Sequence, residues 1–155
     1  LKNNSNFRFI YVGLKNTDLK FQQKSLNKFE KMGKVIFMAG LTHEQAVCLA
    51  RRCKLGIVSL APSNTPGNIP GKFCAYTMAG LPTFCVAPEN FEVAKTISKN
   101  ALGMLGSCLD EHLCFEQLSE AVTIQFDRKK IEDYGIKNFS VDRTIEKLIG
   151  DFEYV

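Results

Sequence analysis

What this chain lacks narrows its identity first. Its 155 residues hold no apolar run near the roughly 18 residues that a membrane-spanning helix needs. Its six cysteines (Cys48, Cys53, Cys74, Cys85, Cys108 and Cys114) include no CxxC pair, and the two histidines, His43 and His112, complete no ligand set, so no zinc pattern is present. The dinucleotide fingerprint GxGxxG and the GxSxG nucleophile elbow are both absent, which speaks against a nicotinamide dehydrogenase and a serine hydrolase. Charge of one sign is scarce. The net charge is +4 and no recognition motif accompanies it, so a nucleic-acid module is not expected. The opening Leu1-Lys2-Asn3-Asn4-Ser5-Asn6 is polar, unlike a signal peptide, and carries no methionine, so the chain is expected to be an excised piece.

What is present is globular. Apolar residues make up 45% and charged residues 23%, which excludes disordered and low-complexity classes. The length fits one domain with a real core. Cys74 and Cys85 sit among apolar neighbours, and the cysteines read as reduced thiols of a cytosolic protein.

Short apolar runs recur at 7–12, 34–39, 55–60 and 82–87, with a weaker one at 102–105. Most are apolar throughout rather than alternating, the pattern of strands covered on both faces and hence of a parallel sheet. Each interval has room for the crossover helix that a parallel connection requires. Thr42 is a good N-cap for one such helix, with Val47, Leu49 and Ala50 following at helical spacing. Pro70 suits the first turn of the next, which runs through Phe73, Tyr76 and Met78 to Gly80. Residues 89–100 form a third. The stretches 112–126 and 140–152 read as two or three helices with no strand between them. The expectation is an α/β, Rossmann-like three-layer sandwich with a mostly parallel five-stranded sheet and a helical C-terminal tail, in one domain spanning 1–155.

In such a sheet ligands bind beyond the C-terminal ends of the strands. Those ends are Gly13-Leu14-Lys15, Gly40-Leu41-Thr42, residues 60–71, Pro88-Glu89 and Gly106-Ser107. Glycine there permits close backbone approach, though it also simply ends strands. The stretch from Ala61 to Lys72 is the most informative. It is a loop of about ten residues where two to six are usual, and it ends at a helix N-terminus with Lys72 beside it. Free N–H groups and a cation suit a phosphate or diphosphate. The plainer reading is a solvent-exposed loop with no ligand. Gly67-Asn68-Ile69-Pro70-Gly71-Lys72 is not a P-loop: only three residues separate its glycines where four are needed, and Phe73 stands where Ser or Thr would hold magnesium. Lys20, Lys24, Lys28 and Lys31 form a stripe at helical spacing between the first two strands, read either as a solvated face or as a peripheral contact with an anionic membrane surface.

The segment Ile69-Pro70-Gly71-Lys72-Phe73-Cys74-Ala75-Tyr76-Thr77-Met78-Ala79-Gly80-Leu81-Pro82-Thr83-Phe84 resembles a signature in the C-terminal domain of GT-B glycosyltransferases, Pro-Ser-Lys-x-x-Glu-Tyr-Met-Ala-x-Gly-x-Pro-Val. The flanks are similar too. Val35 to Gly40 resembles that family's Asn-Val-x-Phe-x-Gly strand, and Leu49 to Val58 its Leu-x-x-Ala-Asp-(Ile/Leu)-x-(Val/Ile) stretch with Cys53-Lys54 in place of Ala-Asp. Glu92 to Ile97 with Asn100 to Gly103 resembles the segment that follows the signature, and Tyr134 to Ile149 the helical end. Order and spacing carry the likeness from about Phe7 onward. The resemblance implies the donor-binding half of a bacterial surface-polysaccharide glycosyltransferase of hexosyltransferase type. The acceptor domain and the first β-α unit would be missing, and the piece would be inactive alone. It implies a nucleotide-sugar such as a UDP- or GDP-sugar, no metal or other cofactor, a glycan or lipid-linked acceptor, and a cytoplasmic place at the inner face of the membrane.

The implied donor-binding residues are Gly13 and Lys15 after the first strand, Gly40, Leu41 and Thr42 around the base, and Ser59, Asn68, Pro70, Gly71, Lys72 and Tyr76 along the long loop and its helix. No catalytic residue is assigned. The sequence departs from the family where many members carry a pair of glutamates; the corresponding positions are Gly67 and Ala75, and Ala75 cannot grip ribose hydroxyls. A non-catalytic domain of the same fold, with a degenerate pocket for nucleotide sensing or partner binding, is therefore the alternative. A sugar-nucleotide epimerase of similar architecture is set aside, because the acid-rich segment of that family is not seen between the long loop and its helix.

Overall fold

The computed structural model describes residues 8–13 and 34–152. The chain divides into two units, 1–46 and 47–155. The first holds two strands, β1 (Phe9–Val12) and β2 (Val35–Met38), paired in parallel with Phe9 beside Val35 and Val12 beside Met38. Phe9 N–H donates to the Lys34 carbonyl at 2.8 Å and Gly13 N–H to the Met38 carbonyl at 3.2 Å, which extends the ladder at both ends. The rings of Tyr11 and Phe37, register partners, lie 6.3 Å apart. The lysine stripe expected between these strands lies outside the described residues, as does Lys15.

Helix α1 (His43–Arg52) begins in the first unit and ends in the second. Its start is a capping box. The Thr42 hydroxyl accepts from Gln45 N–H at 3.3 Å, and the Gln45 side chain accepts from Thr42 N–H at 3.0 Å.

The second unit carries a three-stranded parallel sheet in the order β3 (Gly56–Ser59), β4 (Thr83–Val86), β5 (Gly103–Gly106). Helix α2 (Gly71–Met78) links β3 to β4 and α3 (Glu92–Asn100) links β4 to β5, the crossovers that parallel strands require. Three helices follow with no strand among them: α4 (Glu111–Ala121), α5 (Arg128–Phe139) and α6 (Val141–Phe152). The class is α/β with parallel strands, in hydrogen-bonded ladders of two and three.

The core lies in the second unit. Val58 and Cys85 from the sheet meet Phe73 of α2, Val93, Ala94 and Ile97 of α3, and Ile131 of α5. Phe73, Phe84 and Phe91 are among the largest fully buried side chains, and each contributes about 1.5–3 kcal/mol of burial free energy. A smaller cluster joins Ala50 of α1 to Ala79 and Leu81. Helices α2 and α5 approach closely at Gly135, where an added Cβ would collide with the backbone of Thr77 and Met78. Glycine is required there by space, not by backbone angle. No helix among the described residues is long and apolar enough to cross a membrane.

Candidate functional site

The connection from β3 to α2 is built from two successive β-turns. Asn64 N–H donates to the Ala61 carbonyl at 2.9 Å, and Asn68 N–H to the Thr65 carbonyl at 3.1 Å. Each turn has proline, Pro62 or Pro66, at its second position, where the fixed φ of the ring suits the geometry. Residues 61–68 are all exposed. The loop is also tied down in its middle, because the Pro66 carbonyl accepts from Glu92 N–H, the first residue of α3, at 2.8 Å. Nothing in the sequence signals that tie; it follows from β3 and β4 being neighbours, which brings the connections after them together.

The loop delivers the start of α2. Pro70 is the N-cap residue, extended at φ −65° and ψ 135°, and provides no side-chain cap. Its carbonyl accepts from Phe73 N–H at 2.9 Å and Cys74 N–H at 3.4 Å. The N–H groups of Gly71 and Lys72 find no acceptor among the described residues, the usual condition of a first helical turn left uncapped. The first turn contains no acid, and Lys72 is exposed within it. An added Cβ at Gly71 would meet nothing within 4 Å, so space stands open beside these donors. The partial positive charge of the helix start and the Lys72 ammonium add in sign.

The expected donor-binding residues fall into groups. Asn68, Pro70, Gly71 and Lys72 come together at the start of α2, and Ser59 is the exposed last residue of β3. Tyr76 goes elsewhere. Its ring lies where a Cβ at Gly56 would stand, 2.5 Å from the nearest ring atom, so it packs at the first residue of β3, the opposite end of that strand from Ser59. Burial pushes the Tyr76 hydroxyl up from its ordinary value, with neighbouring Cys53 acting in the same direction. In the first unit, Gly13 ends β1 with φ +82°, a conformation that favours glycine. Gly40 is exposed with open space about it, and Leu41 is half-buried. The Thr42 hydroxyl is engaged in the capping box, and with the backbone N–H of Glu44, the larger influence, it holds the Glu44 carboxyl below its usual range.

A second strand end is organised differently. The Ser107 hydroxyl accepts from Leu109 N–H at 3.3 Å and Asp110 N–H at 3.0 Å, making a tight turn after β5. The Gln117 side chain accepts from Ser107 N–H at 2.8 Å. Asp110 then caps α4, its Oδ1 accepting from His112 N–H at 2.9 Å and Leu113 N–H at 3.0 Å. Beside this turn lies a cleft of about 460 Å³ with Val86, Cys114, Phe115 and Leu118 in its wall. The sequence expectation includes Gly106-Ser107 among the strand ends that take ligands but assigns no donor-binding residue there; the Ser107-x-x-Asp110 turn-and-cap pattern directly after the strand is the local signal. Among the described residues no group of three or more His, Cys, Asp or Glu side chains is placed to hold a metal ion.

Compared with known proteins, the chain matches no family model, no curated protein and no solved structure.

Proposed function

We propose that the chain is the donor-binding domain of a glycosyltransferase that moves a hexosyl group from a nucleoside-diphosphate sugar to a glycan or lipid-linked acceptor. The observation that carries the reading is the start of α2: an uncapped helix N-terminus with an adjoining lysine and no acid, set at the end of a parallel strand by a turn-built loop. Such a terminus accepts a diphosphate through N–H donors and dipole together. Its chemical task would be to stabilise the charge that builds on the departing diphosphate, which preorganised donors do without a metal. The resemblance at 69–84 supplies the rest of the proposal. It puts the base at Gly40 to Thr42, joins the five strands in one sheet, and assigns the reaction to surface-polysaccharide synthesis on the cytoplasmic side of a membrane.

Calorimetric titration of the chain with UDP, GDP, ADP and their hexose derivatives tests this. Binding that the free base and ribose do not reproduce, and that inorganic diphosphate displaces, is expected. No heat and no displacement with any of them overturns it.

One observation favours a second reading, a non-catalytic domain with a relic pocket. Gly67 is exposed on a turn and Ala75 is half-buried on α2, so neither family glutamate position offers a carboxylate to ribose. Ala75→Glu separates the two. A relic gains nucleotide affinity, whereas an active domain that holds ribose by other means gains little or loses.

A further inference from the structure

We propose that Cys108 and Cys114 form a thiol–disulfide couple at the cleft beyond β4 and β5, and that the disulfide pins the Ser107–Asp110 turn to the first turns of α4. This inference does not rest on the nucleotide-sugar reading.

Both thiols are free, half-buried, and line the same cleft. Cys114 N–H donates to the Asp110 carbonyl at 2.9 Å, which fixes Cys114 on the opening of α4. Its Sγ lies 3.1 Å from where a Cβ would stand at Gly106, so this sulfur rests on the end of β5. Cys108 is two residues beyond Gly106, which limits the separation of those two Cα atoms to about 7 Å. Both cysteines therefore sit at the same end of β5, and a disulfide needs their own Cα atoms about 4.4–6.8 Å apart. The turn that carries Cys108 supplies the closing movement. That turn is held through the Ser107 hydroxyl, and its next residue, Leu109, is 91% exposed.

The other thiols are differently placed. Cys85 is fully buried, and burial pushes its thiol up to about 11. Cys53 and Cys74 are also held up by burial, in the former case against the opposing effect of the Arg128 guanidinium. The Cys114 thiol is raised by burial first and then by the neighbouring charge of Cys108.

The oxidant is a hydroperoxide. The Cys108 thiolate attacks the distal peroxide oxygen, the O–O bond breaks, and the alkoxide or hydroxide leaves and takes a proton; Cys108 is then a sulfenic acid. The Cys114 sulfur attacks that sulfur, the S–O bond breaks, and water departs with the Cys114 proton as the S–S bond forms. Two thiols are oxidised by two electrons and one hydroperoxide is reduced. A dithiol reductant reverses the change by exchange.

The test treats the reduced chain with hydrogen peroxide, caps remaining thiols with N-ethylmaleimide, and digests at Asp and Glu. Asp110 and Glu111 lie between the two cysteines, so a linked pair appears as two joined peptides. The expected result is loss of two of the six thiols, the Cys108 and Cys114 peptides joined, and full recovery on reduction. In Cys108→Ser the joined peptide vanishes and Cys114 is capped by maleimide. Full maleimide capping of both while Cys48 or another thiol is oxidised, or a Cys108 linkage to any other cysteine, overturns the proposal.

Discussion

Two helices of the same unit begin at the C-terminal ends of strands that flank β4, and they begin in opposite ways. Helix α4 follows β5 after a four-residue turn, and Asp110 spends its carboxylate on two of the first N–H groups. Helix α2 follows β3 after a longer loop and starts behind a proline that has no side-chain oxygen to give. A capped start has consumed its own donors and carries a negative charge, so it repels anions. An uncapped start with Lys72 keeps donors and charge available. The contrast means that helix stability and ligand capacity are traded at the same few atoms. It also means α2 must be held by something other than its cap.

That something is packing. Phe73 is fully buried and its ring meets Phe139 edge-on at 5.9 Å, so α2 is anchored one residue after Lys72. The largest effect is therefore expected for Phe73→Ala, a loss of about 3–5 kcal/mol in urea unfolding. A loss below about 1 kcal/mol would show that α2 is stabilised at its start after all, breaking the contrast. Next comes Gly135→Ala, which forces a methyl group into the backbone of Thr77 and Met78 and costs about 1–3 kcal/mol by overpacking. It should destabilise through the other end of α2, leaving whatever binds at Lys72 with unchanged affinity in the folded fraction.

Much of this architecture is readable in the sequence. Four of the five apolar runs contain an observed strand and the fifth overlaps β5, which ends one residue later at Gly106. Strand β4 is buried on both faces as continuous apolar character predicts, whereas β3 alternates buried and exposed residues. The first four strands begin a residue or two inside their runs, and the carbonyls of Lys34 and Pro82, just before β2 and β4, still accept ladder hydrogen bonds from Phe9 and Gly56 N–H. Helix α5 falls between the stretches 112–126 and 140–152 expected to be helical. Gly135 in its middle weakens the helical pattern, and it is there for contact with α2, which no local rule reveals. Its start was signalled all the same, since Asp127 accepts from Lys130 N–H at 3.0 Å as an N-cap should. At the site, the start of α2 follows from Pro70 and the loop length. The resemblance groups Tyr76 with Lys72, whereas the structure packs the Tyr76 ring over Gly56, one turn further along α2 and at the opposite end of β3 from Ser59, a placement that tertiary packing decides and no local pattern shows.

Lys72→Ala sharpens the comparison from the ligand side. Removing one charge-assisted contact should weaken nucleoside-diphosphate binding by about tenfold in calorimetry. Because Lys72 is exposed, unfolding should change by no more than about 0.5 kcal/mol. Equal affinity in the variant would remove Lys72 from the site while leaving the N–H groups of Gly71 and Lys72 as donors.

The smallest effect belongs to the capped helix. Asp110→Ala strips two N–H groups of their acceptor and should cost about 1 kcal/mol, while Asp110→Asn, which keeps an acceptor oxygen, should cost only a few tenths. The variant also asks whether freeing donors is enough to create an anion site. It should not be, because Glu111 remains in the first turn of α4 with no lysine beside it, so nucleoside diphosphate should bind the Asp110→Ala chain no more tightly than the parent. A clear gain in diphosphate affinity would mean that an open helix start alone suffices. Lys72 and the long loop would then lose their special standing, and the difference between the two helix starts would reduce to the presence or absence of one carboxylate.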